Sequence, residues 1–177
     1  MTDVVVRRVS AADGAVLRKV RLRALQDAPS AFGSTYAAEV ARTAAEWDER
    51  AAGGSSGSDR FTALAFVDAE CVGLAGGFRN HEDGHHADID LVSMWVAPSH
   101  RGSGVADQLV DVVLEWARDE AAAEVVGLWV TRGNDRAHRF YERLGFVETG
   151  DVQPLPSDPC KDEVRMVFRL RAASTAG

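Results

Sequence analysis

The 177-residue sequence predicts an α+β fold, with one mixed, mostly antiparallel sheet of about seven strands and about four flanking helices. Three observations lead there. Short apolar or β-branched runs and longer helical stripes follow one another in the order β-α-α-β-β-β-α-β-α-β-β. Three of the strands form a meander ahead of a strand–helix–strand crossover. The Gly-x-Gly-x-x-Gly fingerprint with a downstream acid, expected of a doubly wound dinucleotide fold, is missing.

Val4 to Val9 is a β-branched run and reads as the first strand. Ser10 is placed to cap a helix, with Asp13 at its third position. Val16, Leu17, Val20, Leu22, Ala24 and Leu25 then recur at roughly helical spacing until Ala28-Pro29-Ser30 breaks the pattern. A second helix is expected from about Thr35 to Arg50, ended by the flexible run Gly53 to Ser58, which is too short to be a linker between domains. Arg60–Val67, Cys71–Arg79 and Ala87–Val96 are the meander strands. Asp68-Ala69-Glu70 suits a tight turn, and Asn80 to His86 a longer hairpin loop.

From Gly104 to about Ala122, the residues Val105, Leu109, Val112, Val113 and Trp116 form the stripe of a helix lying on a sheet. The strand Val125–Thr131 must run parallel to the one before it, because a helix joins them. Ala137, Phe140, Tyr141 and Leu144 mark another helix, stopped at Gly145. Phe146–Val152 and Glu163–Leu170 are the closing strands, with a Pro-containing loop between them. One domain over residues 1–171 and a short frayed tail, 172–177, are expected.

Composition narrows the function. Hydrophobic residues make up 46% and charged residues 27%, an ordinary globular balance. No apolar run is long enough for a bilayer and Met-Thr-Asp does not begin a signal peptide, so a cytoplasmic protein without a membrane partner is expected. The net charge is −7 and the basic residues are scattered, which argues against nucleic acid. Cys71 and Cys160 lie far apart and read as isolated thiols. His81, His85 and His86 lack zinc-site spacing and read as a solvated hairpin tip, so no metal is expected. Trp95 and Trp129 are expected in the core.

The chemistry concentrates between the fourth strand and the helix after it. In Arg101-Gly102-Ser103-Gly104-Val105-Ala106, the glycines allow a tight turn and a close approach to a ligand. The free N–H groups of the first helical turn add to the positive end of the helix dipole, an arrangement suited to a diphosphate. Taken alone, the segment reads equally well as an ordinary glycine-rich turn.

Its surroundings add a resemblance. Met94-Trp95-Val96-Ala97-Pro98-Ser99-His100-Arg101-Gly102-Ser103-Gly104-Val105-Ala106 resembles the acetyl-CoA signature of the GNAT superfamily of N-acetyltransferases. Asn134 to Phe146, with Ala137, Phe140-Tyr141 and Gly145-Phe146, is similar to that family's second signature. Arg18 to Phe32 resembles its first-helix region, and the element order agrees from Val4 to Leu170.

That resemblance implies acetyl-CoA as cosubstrate. Backbone groups around Met94 and Val96 would pair with the pantetheine arm as an added strand does. N–H groups from Arg101 through Gly102, Ser103, Gly104 and Val105 to Ala106 would hold the pyrophosphate; Ala106 stands where many members have glycine. Asn134 would bind the cofactor beyond the fifth strand, and Tyr141 would face the thioester sulfur.

Thioester aminolysis expels a thiolate. A thiol pKa of roughly 8.5 against about 10 for a phenol makes Tyr141 a feasible proton donor that stays neutral at pH 7. Packing beside Phe140 is the plain alternative. The attacking amine must lose a proton to a carboxylate or to a water chain ending at one. The resemblance implies Asp90, which stands where some members carry an acidic base and shares a strand face with Asp88, Met94 and Val96 if alternation is regular. A strand-edge charge is the competing reading of Asp88 and Asp90.

No Cys or Ser stands in a nucleophile motif between the signatures, so direct transfer in a ternary complex to a primary amine is expected. The acceptor would be a small-molecule amine or a protein N-terminus, and a homodimer is the default assembly. A non-catalytic acyl-CoA-binding module on the same fold would keep the anion turn and lose the acid.

Overall fold

The structure is a computed structural model that describes residues 3–81 and 86–170. His85 and the 172–177 tail lie outside the described residues. Seven strands build one sheet: β1 (Val4–Arg8), β2 (Arg60–Val67), β3 (Glu70–Arg79), β4 (Ile89–Val96), β5 (Val125–Thr131), β6 (Val147–Leu155) and β7 (Asp158–Arg169). Their order is β1-β2-β3-β4-β5-β7-β6; the meander and the parallel crossover are as the sequence predicts, whereas the insertion of β7 between β5 and β6 is decided by the tertiary structure. Among the described residues only the β4–β5 pairing is parallel.

Five helices flank the sheet: α1 (Gly14–Asp27), α2 (Tyr36–Val40), α3 (Ala44–Ser55), α4 (Val105–Asp119) and α5 (Asp135–Leu144). The expected single helix from Thr35 to Arg50 is two helices. Thr43 restarts the chain with a capping box, in which its side chain accepts from the Glu46 N–H while Glu46 reaches back to the Thr43 N–H. Gly53 and Gly54 belong to the last turn of α3 and do not follow it. At α1 the expected capping roles are reversed. Asp13 sits at the N-cap, and Ser10 donates to it through both its N–H and its hydroxyl.

The crossover helix α4 covers one face of β1 to β4. Its buried stripe is Val105, Leu109, Val110, Val113, Trp116 and Ala117, whereas Val112 is only half-buried. The helix lies close because β3 has no side chain beneath it at Gly77, where a Cβ would sit 2.9 Å from the Trp116 ring. Truncating Leu109, fully buried here, would cost about 2–5 kcal/mol. On the opposite face α1 packs on β3 and β4 and α3 packs on β2. There Leu17, Arg21 and Trp47 share a small cavity with Leu74 and Gly76.

The closing strands are longer than expected. Only Pro156 and Ser157 separate β6 from β7. Pro154 is tolerated within β6 because that strand is a sheet edge. Among the described residues no helix is long and apolar enough to cross a membrane.

Arg7 binds Asp13 through two bonds of 2.7 and 3.0 Å, and this holds the Asp13 carboxyl well below the usual carboxylate range. A depressed acid stabilises the fold above its ordinary pKa, and the contribution fades as pH falls through the depressed value. Asp13→Asn should therefore lower stability by about 1–2 kcal/mol at pH 7. In denaturant titrations at successively lower pH, the gap from the parent protein should close. A gap independent of pH would show that the ion pair contributes nothing.

Candidate active site

The site begins where β4 and β5 diverge. They pair at Ile89↔Val126 and Asp90↔Gly127 and nowhere beyond. Upstream of the point of divergence, Asp88 ties the strand starts together, its Oδ2 accepting from the Glu124 and Val125 N–H groups. Further along β4, Ser93 adopts φ +60 and the β3–β4 register slips between Leu74 and Gly76. A serine at positive φ is strained, and the surrounding structure must hold it there. Arg21 does so from α1, donating to the Ser93 hydroxyl at 3.1 Å. The expected regular alternation from Asp88 to Val96 is broken at this bulge. Between the diverging strands opens a cleft of about 1040 Å³.

At one end of the cleft lies the glycine turn. Gly102 and Gly104 have φ of +80 and +86, and the space where a Cβ would point is open at both. No side chain caps α4, so its first N–H groups are left for a ligand. Gly102, Gly104 and Ala106 line the cleft, whereas Val105 is buried beneath it. Ser103 turns its hydroxyl to the His100 carbonyl, 2.6 Å away, and so shapes the turn.

Arg101 points inward. Its Nε donates to the Val96 carbonyl at 3.0 Å and its guanidinium binds Asp27. Its own N–H faces the Pro98 carbonyl. Arg101 thus fixes the turn, and Val96 O is already engaged. Asp27, the last residue of α1, also accepts from Trp95 Nε1 at 2.9 Å. Nothing local in the sequence marks Asp27, because its partners are 68 and 74 positions away.

Across the cleft stand Asn134 and Tyr141. The Asn134 side-chain oxygen caps α5 by accepting from the Ala137 N–H at 3.3 Å, which leaves its amide nitrogen as a donor. Tyr141 lines the cleft at 7% exposure, in edge contact with Phe140 and Phe146. Burial pushes its phenol pKa above the ordinary value.

Asp90 also lines the cleft, but both its oxygens are engaged. Oδ1 accepts from the buried Arg165 guanidinium at 2.5 Å and Oδ2 from Asn80 at 3.4 Å. A second carboxylate, missed in the sequence, lies nearby: Glu163 on β7 pairs in register with Thr131 of β5 and faces the cleft at 7% exposure. Its Oε1 accepts from Gln153 at 2.6 Å, and burial raises its pKa. Trp129 is half-buried on the cleft wall, with Arg165 above its ring, whereas Trp95 is in the core as expected. His86 Nε2 lies 3.3 Å from Asp151 Oδ2. Among the described residues no cluster of His, Cys, Asp and Glu could hold a metal ion.

Residues 22–146 match the family model described as the acetyltransferase (GNAT) family. The chain belongs to the GNAT family. An uncharacterized N-acetyltransferase of Mycobacterium tuberculosis is 36% identical over 83 residues, 47% of this chain and 50% of the relative. The chain therefore spans about half the length of the curated relatives it matches. Among solved structures, the GNAT-family acetyltransferase from Streptococcus pneumoniae superposes with a TM-score of 0.74 at 19% identity, over 96% of this chain and 100% of that one. A Salmonella typhimurium protein solved with its cofactor acetyl-CoA gives 0.70 at 18% identity, over 99% and 100%. Both likenesses show the GNAT fold.

In this GNAT chain Asp27 is the strut beneath the glycine turn. Asp27→Ala should weaken coenzyme A binding about tenfold, or ~1.4 kcal/mol, when measured by calorimetry. An unchanged affinity would mean the turn keeps its shape without the Asp27–Arg101 pair.

Proposed function

We propose that this chain is an N-acetyltransferase that moves the acetyl group of acetyl-CoA to a primary amine, directly within a ternary complex. The observation that carries this reading is the cleft itself. It joins an uncapped helix N-terminus behind two positive-φ glycines to a buried, neutral phenol across the gap. The two ends have complementary tasks: one suits a diphosphate, the other a sulfur that gains negative charge.

The residues present fit the cosubstrate. N–H groups of Gly102 to Ala106 would receive the pyrophosphate, with open space where side chains would obstruct it. The edge of β4 around Met94, released from β5, would pair with the pantetheine arm. The Asn134 amide would add a donor near the head of α5.

In the reaction, the amine lone pair attacks the thioester carbonyl carbon and the carbon–sulfur bond breaks. The sulfur leaves as a thiolate and takes a proton from the Tyr141 hydroxyl, which is replenished from solvent. Because burial makes the phenol a weaker acid than usual, its first contribution is a hydrogen bond to the developing thiolate. The amine's own proton goes to a carboxylate. The sequence points to Asp90 for that role, but with its oxygens held by Arg165 and Asn80 it is better suited to fixing the strands. Glu163, buried and bound by one neutral amide, has the stronger claim. A small-molecule amine or a protein N-terminus is the proposed acceptor class, and a cytoplasmic enzyme, dimeric by default, the proposed setting.

Tyr141→Phe should lower kcat by about 10²–10⁴-fold and leave acetyl-CoA affinity unchanged, read by thiol release and calorimetry. An unchanged kcat at every pH would remove Tyr141 from the chemistry. A carboxylate base must be ionised to act, so activity should rise with pH through its titration, displaced upward from the ordinary Glu range by burial. Glu163→Gln should abolish that acidic limb. If the limb survives in Glu163→Gln and is lost in Asp90→Asn, the base is Asp90.

A further inference from the structure

The acceptor end of the cleft holds a charge that the transfer chemistry does not use. Arg21 on α1 lines the cleft at 6% exposure. Among the described residues no carboxylate lies within 4.0 Å of it to form an ion pair. One terminal nitrogen donates to the Ser93 hydroxyl at 3.1 Å and the other to the Ser34 hydroxyl at 2.7 Å. Among the described residues Nε has no hydrogen-bond partner, and the guanidinium carbon lies 4.6 Å from the Phe32 ring centroid. A guanidinium has five N–H donors, so each terminal nitrogen keeps one for a ligand. Burial pushes its pKa down to about 10, so it remains charged at neutral pH.

Most of the acids around it are already matched; Glu163, held by the neutral Gln153 amide, is the exception. Glu39 Oε2 accepts from Arg42 at 3.0 Å and from Arg50 at 2.5 Å. Asp90 is held by Arg165, and Asp107 by Arg143 at 2.8 Å. A cationic acceptor would have to compete for these carboxylates, whereas an anion would meet a guanidinium that Glu39 influences only from beyond ion-pair distance. Burying a cation with no carboxylate in contact is costly, and an apolar residue would hold α1 to the sheet with less penalty. Arg21 is also well separated from the pyrophosphate end. Asp27, which anchors the glycine turn, is six residues further along α1, about 9 Å by helical rise.

We propose that the acceptor is an amine that also carries a carboxylate, an amino acid in the broad sense, and that Arg21 receives the carboxylate. The inference rests on the acetyl-transfer reading for the fate of the amine, but the anion site can be tested without turnover. The planar guanidinium suits a carboxylate through paired N–H bonds, with Ser34 and Ser93 holding its orientation. Arg21 would then set specificity by positioning the acceptor.

The test uses acetylated products in pairs that differ only by a carboxylate: N-acetylglycine against N-methylacetamide, N-acetyl-β-alanine against N-ethylacetamide, and N-acetylphenylalanine against N-acetylphenethylamine. Binding is measured by calorimetry with and without coenzyme A, so a protein that does not bind the coenzyme, which would defeat the acetyl-transfer reading, still reports on Arg21. The carboxylated member of at least one pair should bind tenfold or more tightly than its partner. Arg21→Gln should erase that ratio. Should Arg21→Gln fail to fold, Arg21→Lys, which keeps the charge but loses the fork, should lower the ratio without erasing it. Equal or weaker binding of every carboxylated member by the parent protein overturns the proposal. So does an undiminished ratio in Arg21→Gln or, if only that variant folds, in Arg21→Lys.

Discussion

Two parallel strands held together at only two register positions make this molecule's site. Had β4 and β5 stayed paired, the sheet would be continuous and the backbone of β4 would have no free edge. Their separation is maintained from outside the pair. Ser93 bends β4 at positive φ, Arg21 braces the bend from α1, and β7 holds β5 along its whole length. The cleft is thus a product of the sheet's pairing pattern, and the helices on either face serve to keep that pattern rigid.

Charge is distributed in this cleft with unusual economy. Most ionised groups on its walls are bound to an opposite charge, including Asp90 to Arg165, Glu39 to Arg50 and Arg101 to Asp27. Such pairs restrain the backbone more than they stabilise the fold, because desolvating both ions offsets much of their attraction. Outside this matching, three groups are buried in different surroundings: the Tyr141 phenol, the Glu163 carboxyl and the Arg21 guanidinium. A neutral donor, an acid of raised pKa and a cation without an ion-pair partner among the described residues therefore face one volume.

Much of this is legible before folding. The seven strands, the crossover and the stripe of α4 follow from hydrophobic period and from the connections a parallel pair permits. Gly102 and Gly104 are legible because positive φ selects glycine, and Gly145 ends α5 with φ +102 for the same reason. Errors arise where a local signal competes with another. The capping box at Thr43 divides an apparently continuous helix, and the bulge at Ser93 interrupts an apparently regular strand. Asp13 and Ser10 exchange roles because Arg7 orients the aspartate from β1.

By itself the sequence determined what short-range physics governs: which segments are strands or helices, where the chain turns, and which turn presents bare N–H groups. Only the tertiary structure decided which charges meet. Asp27 reaches Arg101, Arg165 reaches Asp90, and Arg21 reaches Ser93, each across roughly seventy positions or more of chain. A side chain's charge can be read from its letter, but its neutralisation depends on a partner that only packing supplies. The same packing left Glu163 and Arg21 facing the cleft.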